Sequence, residues 1–175
     1  YDARRSGPIR SYMKEKYEWD DETFDSVDWA TIGQTRRRQT HTQRMHSCKL
    51  MHGWLPTMNK NFRYTTTQCP GCACPNETTN HVFVCSNHTM KRKRREIVAA
   101  LRKKGLRKHV PRSIEKALTE FIAENFPEAS PLGMPHDLPI RKAMAAQRRV
   151  GLDMLLRGFI VKEWRDTAKA LGVSN

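Results

Sequence analysis

A chain of 175 residues is long enough for one ordinary domain, or for one domain with a small satellite. Apolar residues make up 38% and aromatics 8%, which permits a modest core, while the longest apolar stretch, Val150 to Val161, contains Asp153 and Arg157 and is too short to span a bilayer. A net charge of +14 with a pI near 10.0 is costly in self-repulsion and points to a polyanionic partner, nucleic acid ahead of anionic membranes or acidic proteins.

Nothing resembles a secretory signal, and a chain opening on Tyr1 rather than Met reads as a fragment or processed product, so that an upstream targeting segment could simply be missing from it. Ile9, Tyr12, Met13, Lys16 and Tyr17 predict a short first helix after Pro8. The segment from Lys14 to Asp28 carries seven acids against two lysines, an asymmetry that lets it pack near a basic segment or hold its flank away from nucleic acid. Helical spacing then recurs through Gln34, Arg38, Thr42, Met45, Cys48, Met51 and His52, with Gly53 as a stop before Trp54-Leu55-Pro56. Arg63-Tyr64-Thr65-Thr66-Thr67 is the best strand candidate in a sequence with few strand signals. Beyond the cysteines, Ile97, Ala100, Leu101 and Lys104 line a helix ended by Gly105 in a left-handed cap. Pro111 and Ser113 open another, carrying Ile114, Ala117, Leu118, Phe121 and Ile122. The proline-rich stretch from Ala129 to Pro139 reads as a loop. One long final helix is expected from Ile140 to Leu171, apolar nearly all round at Val150–Val161 and so suited to pack on a partner as well as on its own core.

Four of the five cysteines, Cys69, Cys72, Cys74 and Cys85, cluster together, with Cys48 apart. An odd total and tight clustering argue for metal in a reducing compartment over a disulfide framework. The triplets Asn76-Glu77-Thr78 and Asn87-His88-Thr89 are therefore read as accidental matches to a glycosylation signal. Two residues separate Cys69 from Cys72, which brings both sulfurs to one side of a tight Cys-Pro-Gly-Cys turn where glycine eases the backbone. His81 and Cys85 sit four apart, on one face of a helix that Thr78 would cap. Three thiolates and one imidazole close a tetrahedron with no open position, the donor set of a single structural zinc ion. Cys74 and His88 are spare potential ligands, Cys74 as a replacement for Cys72. Cys48 and His52 also share a helical face but lack two further partners, and read as packing residues.

Lys91-Arg92-Lys93-Arg94-Arg95 follows Cys85 within a few residues, opening a segment to His109 with ten Lys/Arg and one acid, Glu96. Positive charge near a helix N-terminus opposes the macrodipole, so the run is read as functional: phosphate contact, or a nuclear-localisation pattern. Arg36-Arg37-Arg38, taken as a second helix start, would join it in one stripe. Trp19, Trp29, Trp54 and Trp164 are read as core residues, with stacking on unpaired bases as the alternative use.

The block Cys69-Pro70-Gly71-Cys72, with Glu77-Thr78-Thr79-Asn80-His81-Val82-Phe83-Val84-Cys85, resembles the zinc-binding segment downstream of reverse transcriptase in retrotransposon polyproteins. Lys49 to Thr57 is similar to the segment preceding those cysteines. Val27-Asp28-Trp29 and the Gln147, Val150, Gly151, Gly158, Trp164 pattern are similar to blocks of retroelement-like reading frames of algae and other protists. The resemblance implies a structural or nucleic-acid-contacting accessory, with polymerase and nuclease activities in other domains, possible partners being an upstream polymerase domain or a large assembly.

The expected architecture is mainly α: an N-terminal helical region over 1–60, a Cys3His zinc knuckle over 61–90, and a basic helix with C-terminal helices over 91–175 that pack with the N-terminal region as one domain. Little or no sheet is expected. No clustered carboxylates, nucleophile elbow or phosphate-binding glycine loop is present, which argues against an enzyme. The leading reading is a nucleic-acid-binding, zinc-containing accessory region of a retroelement-derived protein, in which a structural zinc orients the basic helix for contact with the phosphate backbone of RNA or DNA. Its expected place is intracellular, in a nuclear or cytoplasmic ribonucleoprotein, with no membrane partner. The alternative is a non-catalytic structural subunit of a large protein or ribonucleoprotein assembly.

Overall fold

In the computed structural model, residues 3–60, 65–104, 110–124, 126 and 137–172 are described. Helix α1 (Ala3–Tyr17) begins before Pro8 and takes it in, where the sequence predicts a helix that starts after it. Glu18 turns left-handed at φ 55°, and Trp19 N–H closes the helix end on Lys14 O at 3.1 Å. Asp20 caps α2 (Asp21–Ser26) by accepting from Thr23 N–H, and Asp28 caps α3 (Trp29–Arg38) by accepting from Thr31 N–H.

The helix expected through Gln34–His52 is two helices. Thr40 and Gln43 form a reciprocal capping box that starts α4 (His41–Met51) afresh, and Gly53 ends it at φ +64°. A single 3-10 turn, Met58–Lys60, leads towards the cysteine segment. There follow α5 (Thr79–Val84), α6 (His88–Lys104), α7 (Arg112–Ala123), α8 (Leu138–Val150), α9 (Leu152–Leu156) and α10 (Lys162–Ala170).

The expected long C-terminal helix is thus three pieces. Gly151 adopts φ +105°, where a Cβ would stand 2.9 Å from Asp153 Oδ1, and Gly158 adopts φ +97°. Between α9 and α10 the chain runs extended and forms an isolated antiparallel bridge, Val161 with Val27. Gln147, fully buried in α8, fixes this strap by donating to Phe159 O at 3.0 Å and accepting from Val161 N–H at 3.2 Å. Phe159 then projects among Tyr17, Trp19 and Trp29, with ring centroids 5.6, 5.3 and 5.9 Å away in edge-on geometry. The all-round apolar character of Val150–Val161 therefore reflects burial of a broken segment inside the fold.

One cluster of buried side chains draws on α1–α4 and on α7–α10, so the two ends of the chain share a core. A smaller cluster, Val98, Ala123 and Phe126, joins α6 to α7. In α6 the inward residues are Arg94 and Val98; Ile97, expected on the apolar face, is 53% exposed. The acidic segment pairs with Arg10, Lys14, Arg149 and Arg165, not with the basic run of α6. Three tryptophans join the core, while Trp54 stands 56% exposed.

Among the described residues there is no strand, and Thr65–Thr67 are irregular. Arg63 and Tyr64, the Gly105 cap and the loop over 129–136 lie outside the described residues. No helix among the described residues is long and apolar enough to cross a membrane.

Candidate metal centre and basic helix

The segment from Thr65 to Asn87 buries little that is apolar. Its buried side chains are Cys69, Thr79 and Cys85, and it supplies no residue to either hydrophobic cluster. Its shape comes from short-range polar bonds. Cys69 N–H donates to Cys74 O (2.8 Å) and Ala73 N–H to Cys69 O (3.0 Å), which folds the cysteine turn back on itself. The left-handed residue of that turn is Ala73 at φ 59°, not Gly71 as the sequence suggested. Gly71 matters for a different reason: a Cβ there would lie 3.2 Å from the side chain of Asn87. Glu77 ties the segment to the helical body, its carboxylate accepting from Met58 N–H at 2.7 Å and its carbonyl from Asn59 N–H at 3.3 Å.

Thr78 caps α5 by accepting from His81 N–H at 3.1 Å, as its position predicts. The helix sets His81 and Cys85 one turn apart. The ligand atoms of Cys69, Cys72, His81 and Cys85 all lie within 4.8 Å of one another. Cys69 Sγ stands 3.9 Å from Cys85 Sγ, and Cys72 Sγ stands 3.2 Å from His81 Nε2. A tetrahedral site with metal–sulfur bonds of about 2.3 Å has sulfur–sulfur edges of about 3.8 Å. The four donors therefore fit a single metal ion.

Burial pushes the Cys69 thiol up to about 11. A hydrogen bond from the Cys74 backbone pulls Cys72 down to about 6, so one thiolate is already available at neutral pH. Cys74 Sγ lies instead near Asn76 O, at 3.9 Å, and neither it nor His88 belongs to the four-donor group. Cys48 and His52 are not brought to a metal site. The His52 ring sits between those of Tyr12 and Trp54, with centroids 5.5 and 5.4 Å away.

One residue that the sequence reading missed joins this centre to the basic helix. Asn87 Nδ2 donates to Gly71 O at 2.7 Å, inside the cysteine turn, while Asn87 Oδ1 accepts from Thr89 N–H at 2.8 Å and Met90 N–H at 3.4 Å, at the start of α6. A single amide thus caps the basic helix and clamps it to the knuckle. The only sequence signal was an Asn two residues after the last ligand.

The basic residues do not all face water. Arg92, Lys93 and Arg95 are exposed and Lys91 is half-buried, with Lys93 bonded to Glu96 at 3.0 Å and Arg92 3.7 Å from it. Arg94 is buried, its guanidinium 5.7 Å from the centre of the Phe126 ring, and belongs to the packing face of α6. Arg36, Arg37 and Arg38 occupy the last turn of α3, not a helix start, where positive charge complements the unpaired carbonyls. The main packing partner of α6 is α7.

No family model matches this chain, and no curated protein or solved structure matches it.

Proposed function

We propose that Cys69, Cys72, His81 and Cys85 hold one structural Zn²⁺, and that the chain is a non-catalytic, nucleic-acid-binding accessory region of an intracellular retroelement-derived protein. Thiolate-rich four-donor sites of this shape suit zinc, and a full protein ligand set leaves no position for substrate. The retroelement assignment rests on the resemblance of the Cys69–Cys85 block.

The observation that carries the nucleic-acid reading is the Asn87 clamp, which couples the metal turn to a helix presenting Lys91, Arg92, Lys93 and Arg95. Metal binding would order the knuckle, and the knuckle would hold those cations at a fixed attitude for phosphate contact. Charge elsewhere supports it. From Trp29 to Asn76 there is no Asp or Glu, against seven Lys/Arg (Arg36, Arg37, Arg38, Arg44, Lys49, Lys60 and Arg63).

The test pairs metal analysis of the purified protein with fluorescence-anisotropy titration of labelled RNA and DNA at several salt concentrations. One zinc per chain and an affinity that falls steeply with salt are expected. Absent or salt-independent binding would refute the nucleic-acid reading; absence of zinc would refute the metal assignment.

A further inference from the structure

A cleft of about 420 Å³ separates the knuckle from the helical body, within the range of small-ligand sites. Among the described residues that line it none is acidic, while Lys16, Lys60 and Arg157 are cationic. Lys16 Nζ donates to Tyr12 Oη at 3.0 Å and lies 5.4 Å from the Trp54 ring centre, with no carboxylate partner among the described residues. Arg157 is 8% exposed; it donates to Asn80 Oδ1 across the cleft, and its nearest carboxylate oxygen, of Asp153, is 3.9 Å from Nε. Gly53 permits this closeness, since a Cβ there would meet Arg157 Nη1 at 3.1 Å in a backbone already at φ +64°. His52 responds to the same positive field: burial first, then Lys16 and Arg36, hold its pKa below the usual histidine value.

The rim adds an aromatic surface. Trp54, the exposed tryptophan of the chain, continues a run of rings from Tyr12 through His52. Two threonine hydroxyls in the lining, Thr57 and Thr79, are more than nine-tenths buried and have no hydrogen-bond partner among the described residues. Two lysines without a carboxylate partner among the described residues, a half-exposed indole beside Lys16 and His52, and two buried hydroxyls without a partner are together the elements of a nucleotide site. An acidic peptide would use the cations and leave the indole idle.

We infer that this cleft takes one unpaired nucleotide of a nucleic-acid strand, its base stacked on Trp54 and its phosphate between Lys16 and Lys60, with Arg157 behind. The inference rests on the nucleic-acid reading above and adds a discrimination that reading lacks. A duplex meets the basic runs with its backbone alone, whereas an unpaired base offers a face for stacking.

The experiment compares binding of a labelled single strand of about eight nucleotides, within the site sizes typical of stacking proteins, with that of the matching duplex, for wild type, Trp54→Ala, Trp54→Tyr and Lys16→Gln. Trp54→Ala is expected to weaken single-strand binding roughly 5- to 150-fold, the effect of removing one stacked base, and to leave duplex binding unchanged. Trp54→Tyr should recover most of the loss, and Lys16→Gln should weaken the single strand more than the duplex. Wild-type single-strand affinity retained by Trp54→Ala and Lys16→Gln, with duplex binding intact, overturns the cleft assignment alone. A wild-type protein that binds neither probe overturns this inference together with the nucleic-acid reading. Adenosine monophosphate binding as tightly as the strand would overturn the strand as the ligand.

Discussion

Replacing Lys91, Arg92, Lys93 and Arg95 together by glutamine tests whether α6 meets phosphate, and the burial pattern supplies its control. These four are the members of the run that reach water, whereas Arg94 lies 5% exposed against Phe126. On duplex DNA each neutralised phosphate adds about 0.9 to the slope of log affinity against log salt, so from 50 to 200 mM salt one contact loses roughly 3.5-fold and four lose roughly 150-fold. The quadruple variant should therefore flatten the slope by about 3.6, and Arg95→Gln alone by about 0.9. Arg94→Gln should leave the slope as it is and lower unfolding stability by about 1–3 kcal/mol, the range for disturbing a buried polar side chain. Anisotropy titrations across that salt range, with urea unfolding of each variant, read both quantities. A slope unchanged in the quadruple variant, or one that falls in Arg94→Gln with stability intact, would refute the assignment of this helix face.

Cys85→Ser should abolish stoichiometric metal binding and the order of residues 65–87, while Cys74→Ser should keep both; metal analysis and amide exchange of the two proteins check this. Metal affinity should rise with pH. Cys69, held near 11, must release a proton to solvent as its thiolate takes the incoming ion, whereas Cys72, near 6, is mostly thiolate at neutrality. Chelator competition between about pH 6.5 and 8.5 is expected to show at least a tenfold gain per pH unit, and a flat profile would contradict it. Asn87→Ala should retain the metal yet weaken duplex binding and raise amide exchange in the first turn of α6, since the knuckle would stay folded but release the helix. Asp28→Ala removes both the α3 cap and the 2.7 Å pair with Arg165, itself partly solvated. A loss of about 2–4 kcal/mol in urea unfolding is expected from the lost cap and broken pair.

Local sequence signals located most of the helices; of the two unexpected breaks, one has a local cause and the other a non-local one. The capping box at Thr40 and Gln43 was legible as a Thr-x-x-Gln pattern; it was overridden in the reading by apolar and polar spacing that continued in phase on both sides. The C-terminal break was harder to see. Gly151 and Gly158 stand inside a pattern that satisfies helical period, and what favours the extended strap is Gln147 reaching Phe159 and Val161 together with a slot among Tyr17, Trp19 and Trp29. Those partners lie far away along the chain, so no window of sequence contains the competing energy. In α6 the error was one position, Val98 for Ile97, because buried Arg94 occupies the inward face and a charged residue was assumed to point out.

The metal centre was the most legible feature, since tight spacing between thiols and a histidine constrains geometry more strongly than apolar period does. Its coupling to the rest of the molecule was not legible. Gly71 looked like a turn glycine and proves to be a contact glycine, small so that Asn87 can approach; Asn87 looked like a stray glycosylation acceptor and proves to be a two-sided clamp. A metal turn with almost no apolar interior can transmit its order only through such polar bonds. The same reasoning applies on its other flank, where Arg157 of the helical body reaches Asn80 of α5 and packs close beside Gly53. The knuckle is thus tied to the basic helix on one side and to the cationic cleft on the other, so loss of the metal should loosen both surfaces at once.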